Sequence, residues 1–169
     1  KNYFSFFRKI FGCPYKFIIK FFRLKFSINC TNLDKIEKKK LFNLNLNDLF
    51  INFNCDKGTY FFHNKEKISS HNYSVYYEKY LKNLKEKKIN FMELGSHEGK
   101  GLASFYFYFP HAEMIGANIN PFQMKYNSKR ITELFVDVSS KEILKSLSNY
   151  LDKELDIIVD DASHNLRDI

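Results

Sequence analysis

The sequence predicts an α/β domain organised around a parallel, doubly wound sheet, and three observations carry that expectation. Ile89 to Leu94 is a short apolar run that ends in a glycine-containing loop, Gly95 to Gly101, and Gly101-Leu102-Ala103-Ser104-Phe105-Tyr106 then opens a helix. A strand, a glycine loop and a helix in that order make the ligand-binding corner of such a sheet. A second apolar run, Met114 to Pro121, follows the helix, and a later one, Leu155 to Val159, ends in two adjacent carboxylates, Asp160 and Asp161. Ligands bind these sheets at the carboxyl ends of the strands.

Taken in order, residues 1–29 interleave Phe with Lys and Arg. Phe4, Phe7 and Phe11 share one helical face, and Gly12 and Pro14 divide the segment. Two readings stay open: a basic amphipathic helix on an anionic membrane, or a piece that packs its Phe face on the core or on a second chain. Residues 30–55 read as a helix and an irregular connection, within which residues 41–47 (L-F-N-L-N-L-N) alternate as a short strand would. Asp56-Lys57-Gly58-Thr59 is a turn, a polar loop follows, and Tyr73 to Leu84 has the apolar spacing of an amphipathic helix. We therefore divide the chain into a helical, Phe-rich extension (1–55), a lead-in segment (56–88) and the sheet domain (89–169).

Within the sheet domain, Leu102 to Phe109 is the helix that packs on the sheet, its F-Y-F-Y-F run serving as core. Met114 to Pro121 is the second parallel strand, Phe122 to Lys129 a helix, and Arg130 to Val138 a third strand with Asp137 near its end. Lys141 to Tyr150 is amphipathic through Ile143, Leu144 and Leu147, with Asp137, Ser139 or Ser140 able to cap it.

The formal net charge of +8 is uneven. Lys1, Arg8, Lys9, Lys16, Lys20, Arg23 and Lys25 lie in residues 1–33, which hold no acid, and the remainder is nearly neutral. A basic end is not a nucleic-acid-binding face, so no nucleic-acid partner is expected. Cys13, Cys30 and Cys55 are odd in number and match no zinc spacing, which points to a reducing, cytoplasmic setting, with peripheral membrane contact left open through residues 1–29. No uncharged apolar run is long enough to span a bilayer. The chain does not begin with Met and stops soon after His164, so it reads as a fragment or truncated product with an incomplete sheet.

The glycine spacing selects among ligands. A dinucleotide fingerprint needs G-x-G-x-x-G, which argues against an NAD-binding oxidoreductase. Here Glu93, Gly95, Gly99 and Gly101 give E-x-G-x-x-x-G-x-G. This resembles the first motif of class I S-adenosylmethionine (SAM) methyltransferases and implies their Rossmann-like fold. The resemblance makes Glu93, Gly95, Ser96, Gly99, Gly101, Asn118, Asp137 and Asp160 the expected cofactor shell. The acid at the strand end would hold the cofactor's ammonium, and the glycines would let backbone approach its methionine part. The family's G-x-D-x-x-P places a carboxylate on the ribose hydroxyls. This chain has Asn118 there, which can donate and accept but lacks charge-assisted strength. Asp137-Val138-Ser139 would border the adenine.

The last run, D-I-I-V-D-D-A-S-H from Asp156 to His164, carries the second motif. Adjacent strand-end side chains point to opposite faces, so Asp160 and Asp161 do different jobs. A carboxylate there suits Mg²⁺, which can polarise a diol, and a nearby His can take the proton. The run is similar to the F/L-D-I-I-I-D-D-G/A-S-H signature of sugar O-methyltransferases acting on macrolide and related glycosides, and of their bacterial relatives. That resemblance implies Asp161 as metal ligand and His164 as general base. D-K-G-T and H-x-Y resemble the same group's segment over cofactor or substrate, which makes Asp56, Lys57, His71 and Tyr73 substrate-side candidates. The implied function is a SAM-dependent, Mg²⁺-assisted O-methyltransferase for a hydroxyl on a sugar or glycosylated small molecule. The alternatives are a non-catalytic remnant or SAM-binding module of the same fold, and a membrane-surface protein acting through residues 1–29. A homo-oligomer stays open.

Overall fold

The structure is a computed structural model, and it describes residues 30–120, 123–151 and 153–162. Four parallel strands make its centre: β4 (Asn90–Leu94), β5 (Glu113–Asn118), β7 (Ile131–Phe135) and β8 (Ile157–Asp160), ordered β7-β5-β4-β8. The chain builds outward from β4 on one side and then crosses to the other. This puts a topological switch point between β4 and β8, where a crevice opens at the carboxyl ends. In register, Glu93 faces Gly116 on β5, and Leu94 faces Asp160 on β8.

Helix α4 (Lys100–Tyr108) follows β4 and is buried from Gly101 to Tyr108. A helix that is apolar all round must be covered on both sides. The sheet covers one side, where Phe105 meets Phe91 with ring centroids 4.8 Å apart. Helix α2 (Leu46–Asn52) covers the other, with Phe50 edge-on to Phe105 at 5.4 Å and Phe53, just past the helix, stacked on Phe107 at 5.6 Å. The aromatic run 105–109 is thus core, as expected. A second cluster, Met92, Ala117, Leu134, Phe135 and Val136, packs under Ile143 and Leu147 of α5 (Lys141–Tyr150) on the opposite face. Ser140 caps α5 by accepting from the Ile143 N–H at 3.4 Å.

Three local expectations change. Residues 41–47 form no strand: α1 (Lys38–Leu41) ends there and α2 begins at Leu46. Asn45 caps α2 by accepting from the Asp48 N–H at 2.8 Å, and Leu46, Leu49 and Phe50 recur at helical spacing on the core. The polar loop before the lead-in helix is a hairpin, β2 (Tyr60–His63) with β3 (Glu66–Ser69), turning through Asn64 and Lys65 at φ 50° and 69°. Where a helix was expected over 122–129, the described residues instead contain β6 (Tyr126–Asn127), paired in parallel with β1 (Thr31–Asn32). Tertiary bonds win over local propensity there: Lys125 donates to Glu98 O at 3.0 Å, and its own carbonyl accepts from Thr31 N at 2.8 Å. The lead-in helix itself is α3 (Ser74–Leu81), continued by one 3-10 turn to Leu84.

Candidate functional site

A cleft of about 450 Å³ opens at the carboxyl ends of β4, β5 and β8. Glu93, Gly95, Ser96, Gly101, Asn118 and Asp161 line it, as do Asp56 and Lys57 from the lead-in turn. Gly99, Asp137, Asp160, His71 and Tyr73 are not in its wall. His71 and Tyr73 stack on each other at 5.0 Å on the exposed surface, and Asp137 Oδ1 accepts from the backbone and hydroxyl of Ser139. Asp160 is exposed and accepts from the Ala162 N–H, so the two adjacent carboxylates do part company, with Asp161 on the cleft side. His164 lies outside the described residues, as do residues 1–29.

The loop after β4 is held tightly. Gly95 N and Ser96 N both donate to Ala117 O, at 2.8 and 3.1 Å, and Ser96 Oγ donates to Glu93 O at 2.9 Å. Gly95 has φ +78°, and a Cβ there would lie 2.3 Å from Asp161 O. Gly101 abuts the Glu93 carboxylate, where a Cβ would come within 2.4 Å of Oε1. At these two positions the protein's own backbone and carboxylate already demand glycine. Gly99 precedes the first residue of α4.

Three charges sit at the cleft floor. Lys57 is buried, with Nζ 2.5 Å from Asp161 Oδ2 and 3.6 Å from Glu93 Oε1. Burial works against the lysine's charge, but Glu93, Cys55 and Asp161 together hold its pKa above the ordinary lysine value. Burial pushes the Glu93 carboxyl upward, and Lys57 is the main opposing influence. Glu93 Oε2 is fully buried and has no hydrogen-bond partner. A buried acceptor left bare is costly, so this oxygen marks where a donor belongs. At the end of β5, Asn118 Nδ2 donates to His97 O at 3.0 Å, and its Oδ1 accepts weakly from Asn120 N at 3.4 Å.

Sequence reasoning missed several wall residues. Cys55 adjoins the flagged D-K-G-T, and Ile119, 56% exposed, follows Asn118 directly, so adjacency to a motif could have found both. Phe61 comes from the hairpin and left no signal.

The strand order 3-2-1-4 counted from β4, with a cleft at the switch point, is that of a doubly wound α/β sheet. The MycE methyltransferase from the mycinamycin biosynthetic pathway, solved in complex with Mg, SAH and mycinamycin VI, superposes over 74% of this chain with a TM-score of 0.59 and 19% sequence identity. The chain has a Rossmann-like methyltransferase fold. The chain spans 33% of the MycE chain's length. A second MycE structure, with Mg and SAH, matches over 57% of the chain at 21% identity and a TM-score of 0.48. No family model and no curated protein matches it.

Among the described residues no group of three His, Cys, Asp or Glu is gathered as a metal site. The described carboxylate on the cleft side of β8 is Asp161, with its side chain 36% exposed and Oδ2 on Lys57. Mg²⁺ commonly takes one or two carboxylates and fills the rest of its shell with water; Asp161 could offer it one oxygen, its Oδ2 being engaged by the Lys57 ammonium.

Proposed function

We propose that the cleft binds S-adenosylmethionine and that the chain is, or is part of, a SAM-dependent O-methyltransferase acting on a hydroxyl of a sugar or glycosylated small molecule. One observation carries this reading: Glu93 lines the cleft, and its Oε2 is buried without a hydrogen-bond partner, which suits an alkyl ammonium as the missing donor. The MycE structure, with SAH, Mg and mycinamycin VI, supports the same choice of ligands by likeness of fold.

When bound, the cofactor supplies an electrophilic methyl sulfonium. Glu93 would hold its ammonium, while Asn118 Oδ1 keeps acceptor capacity for a ribose hydroxyl. Ser96 and the glycine loop set the floor on which the amino-acid part rests, and exposed Ile119 offers the nucleoside an apolar surface. Asp161 would give Mg²⁺ one carboxylate oxygen, the ion polarising the acceptor hydroxyl. His164 is the proposed base for the proton which that hydroxyl gives up. Asp56, in the cleft wall, is the first acceptor-side candidate, and His71 and Tyr73 follow it by resemblance.

Isothermal titration of the full chain with SAH tests the cofactor site, and transfer of labelled methyl from SAM to glycoside hydroxyls, with and without Mg²⁺, tests the chemistry. Saturable SAH binding that Glu93→Gln weakens is expected, and absence of SAH heat sinks the reading. Binding without transfer, at any Mg²⁺ level, selects the second reading, a SAM-binding module. The Lys57 ammonium on Asp161, where a metal would otherwise sit, favours that alternative.

A further inference from the structure

Lys57 is set more firmly than a surface turn requires. Its carbonyl accepts from the Ser74 N–H at 3.1 Å, which ties it to the start of α3. Gly58, next to it, packs on Phe50, where a Cβ would lie 3.1 Å from the phenylalanine Cβ. The side chain then runs inward to two carboxylates from two strands, Glu93 on β4 and Asp161 just past β8. A lysine buried to 5% exposure is rare unless paired. Here its pairing is one-sided: it meets Oε1 of Glu93 and leaves Oε2 bare.

We propose that Lys57 is a positioning residue for the cofactor's amino-acid end: its ammonium engages Oε1 of Glu93 and fixes the carboxylate so that Oε2 is presented to the incoming ammonium. This rests on the SAM reading of the cleft. The arrangement has two physical consequences. With both carboxylates ionised, one ammonium offsets only one of the two negative charges and leaves Glu93 able to take a ligand cation. Lys57 also stands between Glu93 and Asp161, so the acid for the cofactor and the acid on the acceptor side do not repel across the cleft. The lead-in turn therefore acts on selectivity for the amino-acid end of the ligand rather than on the nucleoside.

The test compares two probes by titration calorimetry on the full chain: SAH, which carries the ammonium, and 5′-methylthioadenosine, which lacks the amino-acid end. In Lys57→Met, SAH affinity is expected to fall about tenfold or more, as loss of a charged hydrogen-bond arrangement implies, while methylthioadenosine affinity stays unchanged. Lys57→Arg keeps a cation in a different shape; it should lose less for SAH, and it carries the test if Lys57→Met does not fold. A parallel loss for both probes would show a merely structural role and overturn the proposal, as would a Lys57→Met chain that binds SAH like the wild type. A wild-type chain that binds neither probe overturns the SAM reading itself, and this inference with it.

Discussion

The side-chain amide of Asn118 donates to the backbone carbonyl of His97 at 3.0 Å, clipping the end of β5 to a loop residue held at φ +45°. In the methyltransferase pattern a carboxylate at this position would strengthen the hold on ribose. In this chain the donor has a second task. Asn118→Asp removes it and sets a carboxylate against a carbonyl oxygen. We expect the variant to lose about 1–3 kcal/mol, the usual penalty for a buried polar group without its partner. That is several degrees of melting temperature for a domain of this size. SAH affinity should fall rather than rise, and thermal melts with titration calorimetry check both.

Gly95→Ala addresses the junction of β4 and β8. The added methyl would meet Asp161 O at 2.3 Å and Ala162 Cα at 2.4 Å, both backbone, at a φ of +78° that alanine resists. Overpacking and left-handed strain together should cost about 3 kcal/mol or more, read as a lower midpoint in urea unfolding. A midpoint within experimental error of wild type would mean that the two strand ends are further apart than described.

Arg130 closes the far end of α4. Its guanidinium donates to Phe109 O at 3.0 Å, Ala112 O at 2.7 Å and Tyr106 O at 3.0 Å, and lies 3.8 Å over the Tyr106 ring. A cation there also complements the helix dipole. Arg130→Ala should destabilise by about 2–4 kcal/mol, because part-buried carbonyls lose their donors, with Arg130→Lys intermediate. Denaturant unfolding of the three chains gives the order.

Stability should decline at alkaline pH. Burial pushes the Cys55 thiol up from 9.0 to about 12, and the Tyr77 and Tyr108 hydroxyls up from 10.0 to about 12. A folded-state pKa above the unfolded one means that the folded chain keeps protons the unfolded chain has released. The stabilisation is whole below the unfolded pKa and is lost as pH rises through the folded one. The free energy of unfolding should therefore start to fall near pH 9 and go on falling to about pH 12. Cys55→Ala should move the onset up toward pH 10, where the tyrosines begin. Urea titrations at stepped pH check the onset and the slope.

Much of the sheet was legible because its strands are apolar runs bounded by glycine, proline or acid. β4, β5 and β8, and α5 from Lys141 to Tyr150, emerge near where periodicity places them. Parallel register then brings Glu93, Asn118 and Asp161 to one rim, since every strand ends on the same side. The hairpin leaves little trace in the sequence because Asn64-Lys65 is a weak turn signal beside Asn-Gly, and because β3 is exposed along its whole length. Residues 123–129 depart from their local helical signal because their backbone partners are remote in sequence, at Thr31 and Glu98. The burial of Lys57 was invisible for the same reason: its hydrogen-bond partner Asp161 is 104 positions away, and nothing local distinguishes an inward lysine from a solvated one.

The placement of α2 over α4 bears on how the chain is made. Leu46, Leu49 and Phe50 leave the ribosome some fifty residues ahead of the aromatic helix that will cover them, and the strand beneath that helix is only just ahead of it. Until Phe105 and Phe107 arrive, the early helix has only α3 to close on, through Tyr77 beside Phe50 and Glu78 at the Leu46 N–H. Translation pauses between these segments would prolong that exposure, and a chaperone that holds apolar segments would find its first grip there.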